Sequence, residues 1–267
     1  MNSSTYLIAY FDILGYTDIV SNKTTEDEIN LVKGMKEIVN SINDLNNNHF
    51  QISVHTFSDN YVIAIEISNN NDSEKVHKAM FMINSLQRIQ HQIILDHGLL
   101  IRGALTKGDL YIDSNFIHGK ALIKAHNLEK EAIYPRIIID NELIGEIEAF
   151  RHISSTSPED FFLDMLENQK YIDNTETEPR YMYELIPFIQ CFDDVFFINY
   201  LIGNSKTQDK FNAKHADVII KGLYKHYGNK RVSEKYIWLC NYHNMQCSDG
   251  AYIDTSNIKE LYQDAEL

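Results

Sequence analysis

The chain has 267 residues, of which 24 are basic and 38 are acidic, so its formal net charge is −14. This length fits one large domain, or one domain with an appendage, that can bury its own core. The hydrophobic share of 44%, with 16 Tyr and 13 Phe, excludes a disordered chain. The acidic balance argues against binding to the phosphate backbone of a nucleic acid.

The cysteines and the apolar runs indicate in which cellular compartment the protein resides. Cys191, Cys240 and Cys247 have neither the spacing of a disulfide framework nor that of a zinc site. No apolar run approaches the ~18 residues of a membrane span, and residues 1–5 do not resemble a signal peptide. We therefore expect a cytoplasmic protein with no membrane partner and no nucleic-acid partner.

The first half of the chain alternates short β-prone runs with amphipathic helical runs. The predicted strands are 6–11, 51–57, 61–67, 99–105, 109–112 around Gly108, and 136–139. The predicted helices are 17–20 with 26–40, 73–96 with Ser73 as N-cap, and 119–132. This order predicts an α+β fold of ferredoxin-like type, an antiparallel sheet with helices on one face.

The second half predicts an extension that packs on the first. Three of the four prolines fall in 151–190, which we interpret as an irregular connection. The predicted elements after it are a strand at 194–201 and helices at 208–227 and 232–243. We place a first domain at 1–145 and a helical C-terminal extension at 146–267.

Two carboxylates are predicted to lie close together at one edge of the sheet. Asp12 ends the first strand, and Asp59 lies in the turn of the 51–67 hairpin. In a ferredoxin-like sheet these points are neighbours, and two hard oxygen ligands suit Mg²⁺ or Mn²⁺. Two ions roughly 3.5–4 Å apart activate an attacking oxygen and stabilise a leaving pyrophosphate. The structural alternative is a pair of solvated carboxylates at strand ends.

Three motifs, in order over residues 5–140, resemble the signatures of class III nucleotidyl cyclases. Phe11-Asp-Ile-Leu-Gly-Tyr-Thr17 resembles the first signature and His55-Thr-Phe-Ser-Asp-Asn-Tyr61 resembles the second. Ile101-Arg-Gly-Ala-Leu-Thr-Lys-Gly108 resembles the third. One such motif is weak, but three in order favour a class III cyclase-like catalytic domain.

The resemblance implies roles for individual residues. Asp12, Asp59 and the carbonyl of Ile13 would hold two Mn²⁺ or Mg²⁺ ions, and Arg102 would reach a phosphate. Asp12, Asp59 and Arg102 would be the catalytic residues. The implied nucleotide-binding residues are Phe11, Gly15, Tyr16, Thr17, His55, Arg102 and Lys124.

Two positions depart from the class III pattern. Where purine cyclases carry a Glu or Lys that reads the base edge, this chain has His55. When the fourth signature, Gly-x-x-x-Asn-x-x-x-Arg, is aligned on Gly119, Ile123 and Asn127 replace its Asn and Arg. Lys124 and His126 are nearby candidates to replace the two missing groups.

Further stretches resemble the pyrimidine cyclases of the bacterial Pycsar anti-phage system. They include Tyr134-Pro-Arg-Ile-Ile-Ile139, Phe197-Ile-Asn-Tyr200 and residues 235–244. The resemblance implies conversion of UTP or CTP, with UTP favoured, to the cyclic mononucleotide and pyrophosphate. It also implies a homodimer in which Arg102 or the 119–129 helix meets the partner's carboxylates, and an effector that responds to the product without direct contact.

Three alternatives stay open. The first is a purine nucleotidyl cyclase. The second is a cyclase-like sensor that binds a nucleotide without turnover, motivated by the missing Asn and Arg. The third is a palm-type polymerase, but the turn Phe57-Ser-Asp-Asn60 lacks the second carboxylate of such enzymes.

Overall fold

The computed structural model describes residues 4–21, 23–43, 50–113, 116–154, 189–201, 205–247 and 252–253. The strands are β1 (Ser4–Ile13), β2 (Ile52–Phe57), β3 (Asn60–Glu66), β4 (Ile101–Ile112), β5 (Ile117–His118), β6 (Ile137–Ile139), β7 (Ile189–Phe192) and β8 (Val195–Ile198). The helices are α1 (Tyr16–Ser21), α2 (Thr25–Asn40), α3 (Asp72–His97), α4 (Lys120–Glu131), α5 (Asn141–Ser154), α6 (Ser205–Lys225) and α7 (Lys230–Gln246). None of these helices is long and apolar enough to cross a membrane.

The main sheet has the strand order β2-β3-β1-β4-β6-β8-β7, and β5 pairs with β4 outside this row. All neighbouring strands are antiparallel except β4 and β6, which are parallel. The order β2-β3-β1-β4 is that of a ferredoxin-like sheet. The predicted α+β fold class, with C-terminal helices added, is confirmed.

Helices cover both faces of the sheet, which differs from the predicted single face. On one face, Phe11 and its alternate neighbours in β1 join a core with α2, α3 and α5. On the other face, Ile8 and Tyr10 pack against Ala121 and Ala125 of α4. The reason is visible in β1 and β3, which are apolar without interruption and therefore need cover on both sides.

The N-cap of the long helix α3 lies two residues earlier than predicted. Asn71, and not Ser73, is its N-cap. The Asn71 side-chain oxygen accepts from the Glu74 backbone N–H at 2.9 Å, and the Glu74 carboxylate accepts from the Asn71 backbone N–H at 3.1 Å. This capping box satisfies two donors at once and outweighs a serine hydroxyl. The helix ends at Gly98 with a φ of 63°, as the His97-Gly98 pair predicts.

Three predicted boundaries are wrong. Gly108 does not divide β4, which runs unbroken over 12 residues. Residues 151–154 belong to α5, and residues 155–188 of the predicted irregular connection lie outside the described part. The strand predicted at 194–201 is β8, which is shorter than predicted, and the unpredicted strand β7 forms a hairpin with it. In the turn of this hairpin, Asp193 and Asp194 have φ values of 52° and 61°. Aspartate tolerates the left-handed conformation that a two-residue hairpin turn requires.

The C-terminal elements join the first part of the chain directly. β8 pairs with β6 through Phe197 and Ile138. The Trp238 ring of α7 stacks on Tyr134 with centroids 4.9 Å apart. The predicted helices at 208–227 and 232–243 are confirmed to within three residues at each end. The division at residue 145 falls inside α5 and stays a prediction.

Three histidines line the contact between α3, α6 and α7: His91 is half-buried, and His215 and His243 are fully buried. The Nδ1 atoms of His215 and His243 are 2.9 Å apart, and the Tyr200 hydroxyl is 3.2 Å from His215 Nε2. The His91 ring stacks on Phe211 at 3.7 Å. Burial lowers the pKa of His91 to about 4 and holds the pKa of His215 well below its ordinary value.

We expect these histidines to make stability fall as the pH is lowered from about 6.5 to 4. In that range the unfolded chain binds protons that the folded chain does not, so the free energy of unfolding decreases. Urea denaturation at several pH values should show a shallower decrease for His91→Gln than for the parent. His118→Gln, at an exposed position, is the control. Equal pH slopes for the parent and His91→Gln would contradict the assignment.

Candidate active site

The strand register sets three polar residues side by side at the end of β1. Asp12 is directly opposite Asn60 of β3 and opposite Arg102 of β4. Residues opposite each other in an antiparallel pair share a face of the sheet. Asp12, Asn60 and Arg102 therefore lie on the face that α4 covers, at one end of the three central strands.

Gly103 allows β4 to approach β1 closely beside this row. A Cβ atom at residue 103 would lie 2.5 Å from the Phe11 Cβ and 2.5 Å from the Tyr10 carbonyl oxygen. Any side chain there would force the strands apart and displace Arg102 from Asp12. The motif Ile101–Gly108, which resembles a cyclase signature, thus has a steric reason for the glycine that follows its arginine.

The Arg102 guanidinium is shared by two carboxylates. Its Nη2 atom donates to Asp12 Oδ2 at 3.1 Å and also pairs with Glu129 Oε1. The Glu129 side chain is 5% exposed, whereas Asp12 and Arg102 are each 21% exposed. All three residues belong to one chain, so Arg102 and α4 reach Asp12 without a partner subunit.

Glu129 is not among the site residues predicted from the sequence, although the sequence carries a signal for it. Ala121 and Ala125 pack on the sheet, and Glu129 continues the same stripe at a spacing of four residues. A carboxylate in line with a buried stripe is unusual because a buried charge must be paired. The alignment on Gly119 instead directs attention to Ile123 and Asn127, which are exposed.

The carboxylates of the site disfavour each other's ionised forms. Burial raises the pKa of Asp12, and the charge of Asp59 adds to this effect while Arg102 opposes it. Burial also raises the pKa of Glu129, and the charge of Asp12 adds to it. The negative charges therefore exceed what Arg102 neutralises.

Asp59 connects to the row through Asn60. It lies in the β2–β3 turn next to Ser58, whose φ is 57°. The Asn60 Nδ2 atom donates to Asp59 Oδ1 at 3.3 Å, and Asn60 Oδ1 accepts from the Tyr10 hydroxyl at 2.5 Å. Burial, with help from Glu129, Asp12 and Asp59, raises the pKa of Tyr10 to about 12, so it stays a donor.

The turn after β1 holds three of the predicted nucleotide-binding residues. Gly15 has a φ of 75°, and Tyr16 and Thr17 open α1 directly behind it. The Tyr16 hydroxyl donates to Glu28 of α2 at 3.2 Å. Phe11, by contrast, is fully buried and stacks on Tyr61 at 5.3 Å, so its side chain belongs to the core. The nucleotide-binding roles stay predictions.

His55 lies on the sheet face that carries Asp12, Asn60 and Arg102, whereas Lys124 is paired elsewhere. His55 is half-buried in β2, opposite Val62, which in turn is opposite Tyr10, so it shares the face of the site. The Lys124 ammonium pairs with Asp140 and, at 3.0 Å, with Glu142. Its charge is thus directed toward the start of α5 and away from Asp12.

The donor set fits a divalent cation that also binds a ligand. Asp12 Oδ1 is buried and has no hydrogen-bond partner among the described residues. Among the same residues, no group of three or more His, Cys, Asp or Glu could hold a metal ion by itself. Asp12 and Asp59 would therefore provide only part of a coordination shell, which phosphate oxygens and water would complete.

We expect Arg102→Met to destabilise the fold by about 3 kcal/mol, because it leaves Asp12 and Glu129 buried without their counter-charge. The double variant Arg102→Met with Glu129→Gln should regain about half of this loss. Urea denaturation of the single and double variants measures both effects. Arg88→Met, at an exposed arginine of α3, should change stability by less than about 0.5 kcal/mol. An Arg102→Met protein as stable as the parent would show that the shared ion pair is unimportant.

Comparisons with known proteins find solved cyclase domains that align with part of the chain at low sequence identity. No family model and no curated protein matches it. The adenylyl cyclase CyaB from P. aeruginosa aligns with a TM-score of 0.42 and 15% identity over 55% of this chain and 82% of that chain. The guanylyl cyclase domain of the RhoGC fusion protein from the aquatic fungus Blastocladiella emersonii aligns with a TM-score of 0.44 and 16% identity over 56% of this chain and 86% of that chain. The guanylate cyclase domain of RhGC from Catenaria anguillulae, in complex with GTP, aligns with a TM-score of 0.44 and 17% identity over 55% of this chain and 85% of that chain.

Proposed function

We propose that the chain is a metal-dependent nucleotidyl cyclase, which converts a nucleoside triphosphate to its 3′,5′-cyclic monophosphate and pyrophosphate. One observation carries the proposal: Asp12, Asp59 and Arg102 meet at one end of the central strands, and Asp12 keeps a buried oxygen without a partner. Those groups suit phosphoryl chemistry, in which positioning and charge neutralisation supply most of the catalysis.

Asp12 and Asp59 would hold Mn²⁺ or Mg²⁺, two ions per site, with the Ile13 carbonyl as a further ligand. The bound ions would lower the pKa of the 3′-hydroxyl and neutralise charge on the triphosphate. The buried, unpaired Oδ1 of Asp12 supports this role, because an oxygen in that state gains a partner when a cation binds.

Arg102 would bind phosphate oxygens through its guanidinium fork. Its Nε atom is buried and lacks a hydrogen-bond partner within the described residues, so one donor is still available beside the pair with Asp12 and Glu129. An ion on Asp12 would compete with Arg102 for that carboxylate and would make the guanidinium more available to the substrate.

For the base we propose a pyrimidine, with UTP before CTP, and a role in bacterial anti-phage defence through an effector that responds to the product. The support is the resemblance to the Pycsar pyrimidine cyclases and the presence of His55 where purine cyclases carry Glu or Lys. A purine nucleotidyl cyclase is the alternative for the substrate. A nucleotide sensor without turnover is the alternative for the activity, and the presence of Ile123 and Asn127 where class III cyclases carry Asn and Arg motivates it.

The purified full chain should be incubated with each of the four nucleoside triphosphates and Mn²⁺, and the products identified by mass. We expect a cyclic mononucleotide from UTP or CTP, and we expect none after chelation. Asp12→Asn and Asp59→Asn should abolish turnover, because a neutral amide does not supply the charge that the ions require. Asp109→Asn, at an exposed position of β4, should be as active as the parent.

These assays separate the alternatives. A cyclic purine nucleotide would replace the pyrimidine assignment, and calorimetric binding without pyrophosphate release would establish the sensor. Full activity of a folded Asp59→Asn protein would overturn the two-ion site.

We also propose a homodimer, and the geometry predicts how mixed dimers behave. Because Asp12, Asp59 and Arg102 share one chain, a mixture of Asp59→Asn and Arg102→Ala proteins should stay inactive after subunit exchange. If Arg102 acted across subunits, exchange at equal amounts would restore roughly a quarter of the parental sites. Native mass spectrometry would verify the exchange, and recovery near that level would contradict the single-chain assignment.

A further inference from the structure

Helix α7 of the C-terminal extension brings Lys235 to the candidate site. The hydrophobic cluster that contains Trp238 and Tyr242 of α7 also includes Leu14 and Leu128. Leu14 follows Asp12 by two residues, and Leu128 immediately precedes Glu129. The helix therefore shares a hydrophobic cluster with residues that neighbour Asp12 and Glu129 in sequence, and Lys235 lies one turn before Trp238 on it.

Lys235 belongs electrostatically to the same group of charges. Its ammonium interacts with the charges of Asp12, Glu129 and Arg102, and the charge of Lys235 in turn acts on Asp12. Burial lowers the pKa of Lys235, and the neighbouring charges of Arg102 and Arg231 act in the same direction. This coupling agrees with the packing of α7 in the hydrophobic cluster that Leu14 and Leu128 join.

Lys235 differs from the other cations around the site in being uncommitted. Arg102 is engaged by Asp12 and Glu129, and Lys124 is engaged by Asp140 and Glu142. Lys235 is half-buried, and within the described residues it forms no hydrogen bond and no ion pair. A half-buried ammonium without a partner has unused donors, which an anionic ligand would satisfy.

We propose that Lys235 is a phosphate-binding residue, which contacts the polyphosphate of the nucleotide and the pyrophosphate that leaves it. The identity of the ligand rests on the proposed cyclase function. The three carboxylates of the site offset much of the positive charge of the two proposed ions and of Arg102, so a polyphosphate needs a further cation. A lysine ammonium, a compact charge on a flexible stem, suits a ligand whose phosphates shift during the reaction.

The experiment measures pyrophosphate binding to the full chain in Mg²⁺ by calorimetry, separately from turnover. Lys235→Met keeps the apolar stem and removes the charge, and it should weaken pyrophosphate binding about tenfold, as the loss of one charged hydrogen bond would. Lys235→Arg should recover most of the affinity. Lys230→Met removes the same charge from an exposed position of α7 and should bind pyrophosphate as the parent does.

The outcomes decide the inference independently of the enzyme assay. Parental affinity in Lys235→Met, or a parent that binds no pyrophosphate, would overturn it. Thermal denaturation verifies that each variant is folded, and Lys235→Gln replaces Lys235→Met if the latter is not. If pyrophosphate binding depends on Lys235 but no nucleoside triphosphate is turned over, the phosphate site stands and the cyclase proposal fails. If turnover occurs and Lys235→Met leaves pyrophosphate binding unchanged, the cyclase proposal stands and the role of Lys235 fails.

Discussion

β1 is paired along both of its edges, and this double pairing fixes the position of Asp12. The register with β3 places Asn60 on one side of it, and the register with β4 places Arg102 on the other. A slip of one residue would turn Asp12 into the core that holds Phe11 and would expose an apolar side chain at the site. Because both faces of β1 are buried and apolar, its apolar residues alone would tolerate such a slip. The polar residue at the end of the strand is what makes the slip unfavourable.

The candidate site is held together by fewer positive than negative charges. One guanidinium serves Asp12 and Glu129, and Asp59 acts on Asp12 from the neighbouring turn. Burial makes this excess costly, which the raised pKa values of Asp12 and Glu129 express. Binding of cations together with an anionic ligand would relieve the repulsion without creating a new excess. This charge balance supports the proposed metal–polyphosphate ligand over either component alone.

Short motifs predicted the strand-borne half of the candidate site, because each motif marks the end of a strand or the turn of a hairpin. Glu129 and Lys235 depend on how helices pack on the sheet, which local pattern does not determine. The same limit applies to the fold: the ferredoxin-like order was predictable, whereas α4 on the second face was not. Local chemistry was also misjudged where two polar residues compete, as at Asn71 and Ser73, or where a turn uses Asp193 and Asp194.

The C-terminal extension is tied to the site by a buried cation. The Arg136 guanidinium is bidentate to Asp193, at 2.6 and 3.2 Å, and lies 5.0 Å from the Trp238 ring centroid. Arg136 stands at the start of β6, so this contact joins the hairpin turn and α7 to the sheet. Trp238 is held as a result, and Lys235, one turn earlier, is held with it. The position of a charge at the site is therefore set by packing at a distance, and a change at Arg136 would reach the Asp12 group through α7.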